Sequence, residues 1–337
     1  MDLARYSRQM LFGPIQETGQ KKLTESSVLV IGAGALGSVI CNQLVRAGVG
    51  TIRLIDRDYV EWSNLQRQML FDEDDAVNVV PKAIAAKQKL EKMNSHVTVE
   101  AIVGNVAVAN IRELLEGMDV VLDGTDNFST RYLLNDACFQ KGIPFSYGGV
   151  VSSRGMQAFF TPGVTPCLRC MAKGEAASGQ TCDTAGVISP AVNMVASHQV
   201  TETLKYLTGN QDALRQTLKT FDLWLNNGYD MRLSASAPDC PVCQNEDYPS
   251  LRKSAQNEET VLCGRDTVQI HRETSRDLEQ WETILTPTAA LQRTPFLLKA
   301  VFNDDIQFVL FQDGRVLVQG TEDPVQARIL YDRYIGS

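Results

Sequence analysis

The chemistry that this sequence can support begins with three glycines, Gly32, Gly34 and Gly37, in the pattern G-x-G-x-x-G. They follow a short apolar run, residues 28–31, and open an apolar segment that ends at Gly48. In a strand–turn–helix unit the first glycine permits the tight turn, the second lets the backbone approach a phosphate, and the third lets the helix pack on the strand. The N–H groups at the helix start favour an anion. These glycines therefore predict a site for a nucleotide phosphate.

Asp56 ends the next predicted strand, residues 51–56, and lies about 20 residues beyond the glycines, the usual distance for a carboxylate that accepts ribose hydroxyls. Asn64, Arg67 and Gln68 follow in a polar loop. A guanidinium there can hold phosphate oxygens through two parallel hydrogen bonds. A solvated loop with surface ion pairs explains the loop sequence equally well by itself. We interpret the loop as part of the nucleotide site because ligands of doubly wound sheets bind near the carboxyl ends of strands.

Two more charged positions stand at the ends of predicted elements. Lys82 begins the predicted helix 81–95, where a lysine opposes the helix dipole unless it binds an anion such as a phosphate. An ordinary surface lysine is the alternative. Asp123 and Asp126 end a predicted buried strand, and a carboxylate there suits Mg²⁺ that bridges phosphates. Helix capping by Asp126 or Asn127 is also possible, and we favour the metal role for Asp126.

Four of the eight cysteines form two C-x-x-C pairs, Cys167 with Cys170 and Cys240 with Cys243. Two such pairs match a tetrahedral zinc site with four thiolate ligands. Four thiolates leave no open coordination position, so we predict a structural rather than a catalytic zinc site. Two separate redox pairs are the alternative, which is disfavoured because neither pair opens a βαβ unit.

Cys182 lies outside both pairs, in the predicted crossover loop 166–188, which is rich in glycine and threonine. A loop thiolate can act as a nucleophile. A small buried thiol is the alternative, and these residues alone favour it. Cys41 and Cys138 are predicted to lie in the core, and Cys263 is predicted to lie in a strand.

The elements that must position these residues alternate between strand and helix. Predicted strands lie at residues 28–31, 51–56, 97–103, 120–125 and 143–150. Helical segments between them predict an α/β fold, a Rossmann-like doubly wound sheet that is mainly parallel. Beyond residue 150 the pattern changes. Two segments at 155–161 and 220–235, with a long helix at 189–207 between them, predict an antiparallel extension of this sheet.

The chain is predicted to divide into two parts joined by a polar linker. Residues 1–243 form the nucleotide-binding part, which begins with an N-terminal arm at 1–25, and residues 244–259 form the linker. Residues 260–337 form a small α+β module. Its predicted elements are a strand at 261–270, a helix at 276–285, a strand at 295–302, a hairpin around Asp313 and Gly314, and a helix from Pro324 to Gly336.

Composition narrows the classes of partner. The formal net charge of the 337 residues is −8, which argues against nucleic acid as the main partner because no basic excess exists to release counterions. The apolar run after residue 26 is interrupted by glycines, and the first residues lack the apolar core of a signal peptide. We therefore predict a cytoplasmic protein that binds neither nucleic acid nor membrane.

Together these motifs resemble the ThiF/MoeB/HesA family, the bacterial relatives of ubiquitin-activating enzymes, and most closely its firmicute-type ThiF members. The C-terminal module resembles an extension that some bacterial members carry. The matching segments keep the family's order over residues 5–243 and are RYSRQ, GAGALG, LIDRDYVEWSNLQRQ, PKA, LDGTDNFSTR, CLRC, TCDTAGV and CPVC.

The resemblance implies ATP-dependent adenylation of the C-terminal Gly-Gly carboxylate of a small β-grasp sulfur-carrier protein. A carboxylate is already deprotonated at neutral pH, so no general base is needed. The difficulty is to bring two anions together, which requires positive groups, Mg²⁺ and alignment. The roles that the resemblance implies are ribose binding for Asp56, phosphate binding for Asn64, Arg67 and Lys82, Mg²⁺ binding for Asp126, and zinc binding for Cys167, Cys170, Cys240 and Cys243.

The resemblance also implies a homodimer in which Arg8 reaches into the partner subunit's site. Cys182 matches a cysteine that joins the activated carrier through an acyl-disulfide in ThiF-like members and is not required in MoeB-like ones. We expect adenylation to survive Cys182→Ala. The favoured carrier is of the ThiS type, for thiamin thiazole synthesis, and the alternative is a MoaD-type carrier for molybdopterin. The expected sulfur donor is of cysteine desulfurase or rhodanese type.

Two other classes of function explain part of the sequence. An oxidoreductase that binds NAD or FAD explains the glycines and Asp56, but it leaves the arginine-containing loop and the cysteine pairs unexplained. A non-catalytic scaffold would be expected to lack the phosphate-contacting residues. Arg67, Lys82 and Asp126 are all present, which disfavours a scaffold.

Overall fold

The computed structural model describes residues 3–172, 185–233, 235–252, 259–262, 266–271, 277–302 and 306–336. Cys182 and Cys263 lie outside the described residues. The chain divides into two compact units. The first contains Met1–Val77 and Pro81–Ser254, and the second contains Asn78–Val80 and Ala255–Ser337.

The first unit is built on one mixed sheet, whose described strands have the order β3-β2-β1-β4-β5-β6-β7-β8. Neighbours from β3 to β5 pair in parallel, and neighbours from β5 to β8 pair antiparallel. The predicted α/β class with an antiparallel extension is therefore confirmed. The strands are Ser27–Ile31 (β1), Thr51–Asp56 (β2), Thr98–Val103 (β3), Val120–Asp123 (β4), Phe145–Val151 (β5), Arg154–Phe160 (β6), Thr217–Asp222 (β7) and Asn227–Arg232 (β8).

Helices cover this sheet. The described α-helices of the first unit are Ser7–Met10 (α1), Gln16–Glu25 (α2), Ala35–Ala47 (α3), Glu73–Val77 (α4), Lys82–Met93 (α5), Ile111–Leu114 (α6), Phe128–Lys141 (α7), Leu168–Met171 (α8), Ser189–Thr208 (α9) and Pro241–Asn245 (α10). α3 ends at Gly48 and α9 ends at Gly209, at φ of 82° and 87°. These are left-handed conformations that glycine adopts without a steric penalty.

The central strand β1 explains where a ligand would bind. It pairs with β2 on one side and with β4 on the other, and its residues from Val28 to Ile31 are almost completely buried. A continuous apolar run is what a strand buried on both faces requires. The chain moves outward from β1 in both directions, so the turns after β1 and β4 flank the point at which strand order reverses. Ligands of such sheets bind at that point, outside the carboxyl ends of the strands.

The second unit is a small α+β module. Its described strands form an antiparallel sheet of order β11-β12-β13-β14-β10-β9. Buried apolar side chains of the strands pack with Leu278, Trp281 and Tyr331 of two helices. The elements are Glu259–Leu262 (β9), Thr267–His271 (β10), Leu278–Leu285 (α11), Ala290–Arg293 (β11), Leu297–Val301 (β12), Gln307–Phe311 (β13), Arg315–Gln319 (β14) and Pro324–Tyr334 (α12).

Two parts of this module differ from the predictions. The segment 261–270 is not one strand, because β9 and β10 run antiparallel with Thr267 opposite Leu262. Asp266 between them has φ of 42°, a left-handed conformation that does not fit an extended strand. The strand β11 was not predicted, since its largely exposed side chains lack an apolar alternation.

The predicted linker 244–259 is also wrong at its start. Its first residues end α10, and Pro249–Leu251 form a 3₁₀ turn. The backbone N–H of Ser250 donates to Oδ2 of the buried Asp136 at 2.8 Å. A polar composition suggested a free linker, but buried acceptors tie this segment to the first unit. Among the described helices, none combines the length and the apolarity that crossing a bilayer requires.

Candidate active site

The glycine turn between β1 and α3 has the geometry that the sequence predicted. Gly32 has φ of 89°, and its N–H donates to the carbonyl oxygen of Ile55 at 2.8 Å. A Cβ atom on Gly37 would lie 1.7 Å from the carbonyl oxygen of Gly32, so the helix approaches the turn too closely for any side chain. A Cβ atom on Gly34 would meet nothing within 4 Å. The second glycine therefore borders open space at a helix N-terminus, where a phosphate fits.

Asp56, at the end of β2, braces this turn. Its Oδ2 accepts from the backbone N–H of Ala33 at 2.6 Å, and its Oδ1 accepts from the backbone N–H of Asp58 at 2.7 Å. Burial raises the pKa of Asp56, and the positive charge of Lys82 opposes that shift. A carboxylate has about four acceptor sites, so these two bonds leave capacity for ribose hydroxyls. Its position beside the glycine turn agrees with the predicted role.

Lys82 is buried, with 1% of its surface exposed, so the surface-lysine alternative is wrong. Its Nζ lies 3.4 Å from Oδ2 of Asp58, and its backbone N–H donates to the carbonyl oxygen of Asp58 at 2.9 Å. A buried ammonium group is costly unless it has anionic partners. The structure places such a group beside the carboxylates that follow β2.

The loop residues predicted to bind the nucleotide differ in their surroundings. Asn64 is buried, and its Oδ1 accepts from the backbone N–H of Glu61 at 3.1 Å within a capping box on a 3₁₀ turn. The half-buried Arg67 donates from Nη1 to the carbonyl oxygen of Ser63 at 2.8 Å. Gln68 is 3% exposed, and its Oε1 has no hydrogen-bond partner among the described residues. Its amide oxygen can accept from an N–H or O–H group of a ligand.

Asp126 lies exposed on the turn that follows β4. The cap of α7 is Asn127, whose Oδ1 accepts from the backbone N–H of Thr130 at 2.8 Å. Capping by Asp126 is therefore wrong and capping by Asn127 is confirmed. Asp123 is completely buried and accepts hydrogen bonds from Thr125 and Arg131, which makes it unsuitable as an open metal ligand.

The turns after β1 and β4 are packed together. The N–H of Gly124 donates to the carbonyl oxygen of Ile31 at 2.8 Å. A Cβ atom on Gly124 would lie 2.8 Å from the carbonyl oxygen of Gly32. The structure thus joins the glycine turn, Asp56, Lys82 and the turn that carries Asp126 in one region. Sequence reasoning missed Gly124, although its position directly after a buried strand was a usable signal.

Arg8 is exposed on α1, next to a residue that anchors the N-terminal arm. The side chain of Gln9 donates to the carbonyl oxygen of Ala47 at 2.9 Å, and Gln20 donates to the same oxygen at 3.0 Å. These amides satisfy a carbonyl at the end of α3, where intrahelical donors are lacking. The reach of Arg8 into a partner subunit stays a prediction.

The two cysteine pairs meet, as predicted. Sγ of Cys167 lies 3.6 Å from Sγ of Cys240, and Sγ of Cys170 lies 3.7 Å from Sγ of Cys243. All four sulfur atoms lie within 4.8 Å of one another. Four ligands at about 2.3 Å from a tetrahedral zinc ion are separated by about 3.8 Å, so the donor set and its spacing fit zinc. The N–H of Ala237 points at Sγ of Cys170, at 3.4 Å, and would support a thiolate there.

Comparisons with known proteins agree with this arrangement. The sequence profile of the ThiF family matches residues 6–242. The sulfur carrier protein ThiS adenylyltransferase of Bacillus subtilis (strain 168) is 46% identical over 336 residues, which cover 98% of this chain and 99% of that protein. The sulfur carrier protein adenylyltransferase of Thermus thermophilus is 36% identical over 270 residues, which cover 78% of this chain and 97% of that protein.

Solved structures show the same fold. The crystal structure of E. coli MccB with ATP superposes with a TM-score of 0.62 at 24% identity, covering 72% of this chain and 74% of that one. At this level of identity the likeness concerns the fold.

Proposed function

This chain belongs to the ThiF family, and we propose that it is a nucleotidyltransferase that adenylates the C-terminal Gly-Gly carboxylate of a ThiS-type β-grasp sulfur-carrier protein. The observation that carries the proposal is the buried Lys82 beside Asp58 and Asp56, next to a glycine turn that is open at Gly34. A buried cation beside an open helix N-terminus is suited to binding a phosphate. The 46% identity to a ThiS adenylyltransferase over nearly the whole chain supports the choice of carrier.

In the proposed reaction, the terminal carboxylate of the carrier attacks the α-phosphorus of ATP. A bond forms between a carboxylate oxygen and that phosphorus, the bond to the bridging oxygen of the β-phosphate breaks, and pyrophosphate leaves. No proton transfer is required, because the carboxylate is already ionised. The protein must therefore align two anions and stabilise charge on the phosphates.

The described residues divide this work. Lys82 and Arg67 supply positive charge for the phosphates, and the N-terminus of α3 receives a phosphate beside Gly34. Asp56 accepts ribose hydroxyls, while Asn64 and Gln68 contact the nucleotide. Asp126 would hold Mg²⁺, which supplies charge neutralisation for the phosphates when bound. The four cysteines, Cys167, Cys170, Cys240 and Cys243, would hold a structural zinc ion.

An exposed apolar face gives the carrier a place to dock. Met156, Tyr229 and Met231 are 39%, 71% and 57% exposed. Met156 pairs with Thr220, which pairs in turn with Tyr229, so these side chains share one face of β6 to β8. Met156 also pairs with Gly149 on β5. The neighbouring residue, Gly148, accepts a hydrogen bond from Arg131, which lies near the turn that carries Asp126. This carrier face, Met156 with Tyr229 and Met231, is therefore continuous with the proposed site, as a protein substrate requires.

The proposal extends to parts that need further proteins. We propose a homodimer in which Arg8 completes the partner subunit's site, and a sulfur donor of cysteine desulfurase or rhodanese type. Survival of adenylation in Cys182→Ala stays a prediction, and so does the cytoplasmic location.

Intact-protein mass spectrometry tests the function and the carrier together. The enzyme is incubated with Mg-ATP and either a ThiS-type or a MoaD-type carrier, each ending in Gly-Gly, with carriers lacking the last glycine as controls. We expect a mass gain of one AMP on the intact ThiS-type carrier, together with pyrophosphate release. A gain on the MoaD-type carrier alone would overturn the carrier assignment. A gain on neither carrier would overturn the proposed function.

A further inference from the structure

Arg131 is a buried cation that sequence reasoning did not single out. It lies on α7 one turn after the Asn127 cap, and 6% of its surface is exposed. Helical side chains point back toward the helix N-terminus, which directs this one over the turn that carries Asp126. Its Nε donates to Oδ2 of Asp123 at 2.9 Å. Its Nη2 donates to the carbonyl oxygens of Thr125, at 2.7 Å, and of Gly148, at 2.9 Å.

Asp123 ties the same turn from the other side. Its Oδ1 accepts from the backbone N–H of Thr125 at 2.9 Å and from the hydroxyl of Thr125 at 2.7 Å. Gln199, on α9, donates to the carbonyl oxygen of Asp123 at 2.8 Å. Both backbone groups of Thr125 are thus held by buried charged side chains. Asn127, on the other side of Asp126, is held because its side chain caps α7.

We propose that Arg131 is a positioning residue for the adenylation reaction, acting by fixing the turn from which Asp126 would hold the Mg²⁺ that accompanies the phosphates. This inference rests on the proposed function. A buried ion pair often contributes little stability compared with an apolar pair of the same volume. The three acceptors of Arg131 are the carbonyl oxygen of Thr125 on the turn, the carboxylate of Asp123 at the end of β4, and the carbonyl oxygen of Gly148 on β5. The planar guanidinium reaches them together, which an ammonium group cannot do.

The test uses Arg131→Lys with a matched control, Arg53→Lys. Arg53 also bridges one carboxylate and backbone carbonyls, since it donates to Oε2 of Glu100 at 2.7 Å and to the carbonyl oxygens of Leu114 and Glu116, each at 3.0 Å. Its contacts lie away from the turns after β1 and β4. Calorimetry measures the affinity of the full-length protein for a non-hydrolysable ATP analogue, once with Mg²⁺ and once with EDTA.

We expect Arg131→Lys to weaken binding with Mg²⁺ roughly tenfold, the effect of losing a hydrogen bond from a charged group, and to change binding with EDTA less than about twofold. Arg53→Lys should change neither affinity more than about twofold. Thermal unfolding without ligand should give similar midpoints for the two variants. Equal Mg²⁺-dependent affinities in the two variants would overturn the proposal, because loss of packing alone affects both.

A double-mutant cycle links the effect to Asp126. In an Asp126→Asn background, Arg131→Lys should add less than about a twofold loss, because positioning a carboxylate that is absent has no effect. An undiminished loss in that background would contradict the positioning role. If Arg131→Lys does not fold, Asp123→Asn replaces it, since it keeps an acceptor for Thr125 and removes the charge that orients Arg131.

The outcomes separate this proposal from the proposed function. The analogue measurement needs no carrier, and wild-type adenylation is measured by mass spectrometry on its own. A wild-type enzyme that adenylates the carrier while Arg131→Lys binds like Arg53→Lys would overturn the positioning role and leave the function standing. A wild-type enzyme that adenylates no carrier would overturn the function on which this proposal rests.

Discussion

At the scale of single residues, the burial of Lys82 is what distinguishes a candidate phosphate ligand from an ordinary surface lysine. Lys82 and Asp56 were predicted from sequence as phosphate and ribose ligands, and the structure places them around one turn. Asn64 was predicted as a phosphate ligand, which stays a prediction, and its side-chain oxygen accepts from the backbone N–H of Glu61 in a capping box. Its contribution is therefore partly structural. Neutral capping groups and nucleotide ligands draw on the same residue types, which is why sequence alone leaves both roles open.

Lys82→Met should abolish most of the activity while preserving the fold. The substitution keeps a long apolar stem and removes the charge, so that a buried cation no longer faces the phosphates. We expect carrier-dependent pyrophosphate exchange to fall about 10²- to 10³-fold, as for loss of one preorganised transition-state donor. Lys87→Met is the matched control on the same helix, where a half-buried side chain pairs with Glu91 at 3.6 Å. Exchange that survives Lys82→Met within about tenfold would argue against its phosphate role.

At the scale of elements, strands and helices with strong patterns were predicted well, and weakly patterned ones were not. β1 and α9 were predicted within a residue or two, because a buried apolar run and a glycine stop identify them. The pairing of β9 with β10 depends on a chain reversal that no residue pattern revealed. Gln199 was missed for a similar reason, since its acceptors are backbone carbonyls of distant strands. Arg131 was missed because one of its acceptors, the carbonyl of Gly148, lies on the adjoining strand β5. Sequence spacing shows which residues share an element, but not which backbone groups a fold leaves unpaired.

The glycine turn makes a paired prediction, because the second and third glycines serve different purposes. Gly37→Ala would place a methyl group 1.7 Å from the carbonyl oxygen of Gly32, so α3 must move and the protein should lose at least about 3 kcal/mol of stability. Gly34→Ala meets nothing within 4 Å, so it should change stability by less than about 1 kcal/mol while weakening ATP binding. Denaturant unfolding and calorimetry measure the two effects. The reverse pattern would refute the phosphate position.

A substitution on the carrier face should change KM for the carrier but not KM for ATP. Tyr229→Glu places a charge on an exposed strand, so the fold should tolerate it, but it should repel an apolar partner surface. We expect KM for the carrier to rise about tenfold, the value of one aromatic contact at an interface, with KM for ATP unchanged. Arg232→Gln, which also lowers the net charge by one and lies further along the same exposed strand, is the control for charge alone. Steady-state pyrophosphate release measures both constants, and a carrier KM equal to that of wild type would rule out this docking face.

At the scale of the whole molecule, the four clustered cysteines connect parts of the chain that are far apart in sequence. The first pair lies at the start of α8 and the second at the start of α10. A bound zinc ion would therefore join these two helices within the first unit. Cys41 offers a contrast, since burial raises the pKa of its thiol to about 12 and it lies in the core of α3. Cysteine content alone did not separate the four clustered thiols from core thiols, whereas the C-x-x-C spacing did.

The amount of bound zinc should depend on the four clustered cysteines and not on the core cysteine Cys41. Cys243→Ser should lower bound zinc from about one ion per chain to almost none and should lower the unfolding midpoint, because metal binding contributes to folding. Cys41→Ala should keep the ion despite its small core cavity. Elemental analysis of dialysed protein measures the metal. Wild-type protein without zinc, or Cys243→Ser with a full complement, would refute the metal site.

The two units also make a prediction about where activity resides. The glycine turn, Asp56, Lys82, Asp126 and the cysteine cluster all belong to the first unit. The Thermus relative aligns over 97% of its own length with 78% of this chain, so it is too short to carry a counterpart of the whole C-terminal module. A chain truncated after Arg252 should therefore fold, unfold cooperatively and catalyse ATP–pyrophosphate exchange within about tenfold of the full-length rate, since all proposed phosphate ligands remain. The full-length protein purified in parallel is the control. Loss of exchange in a truncated chain that still unfolds cooperatively would mean that the module completes the active site; loss of folding would mean that the two units are not independent.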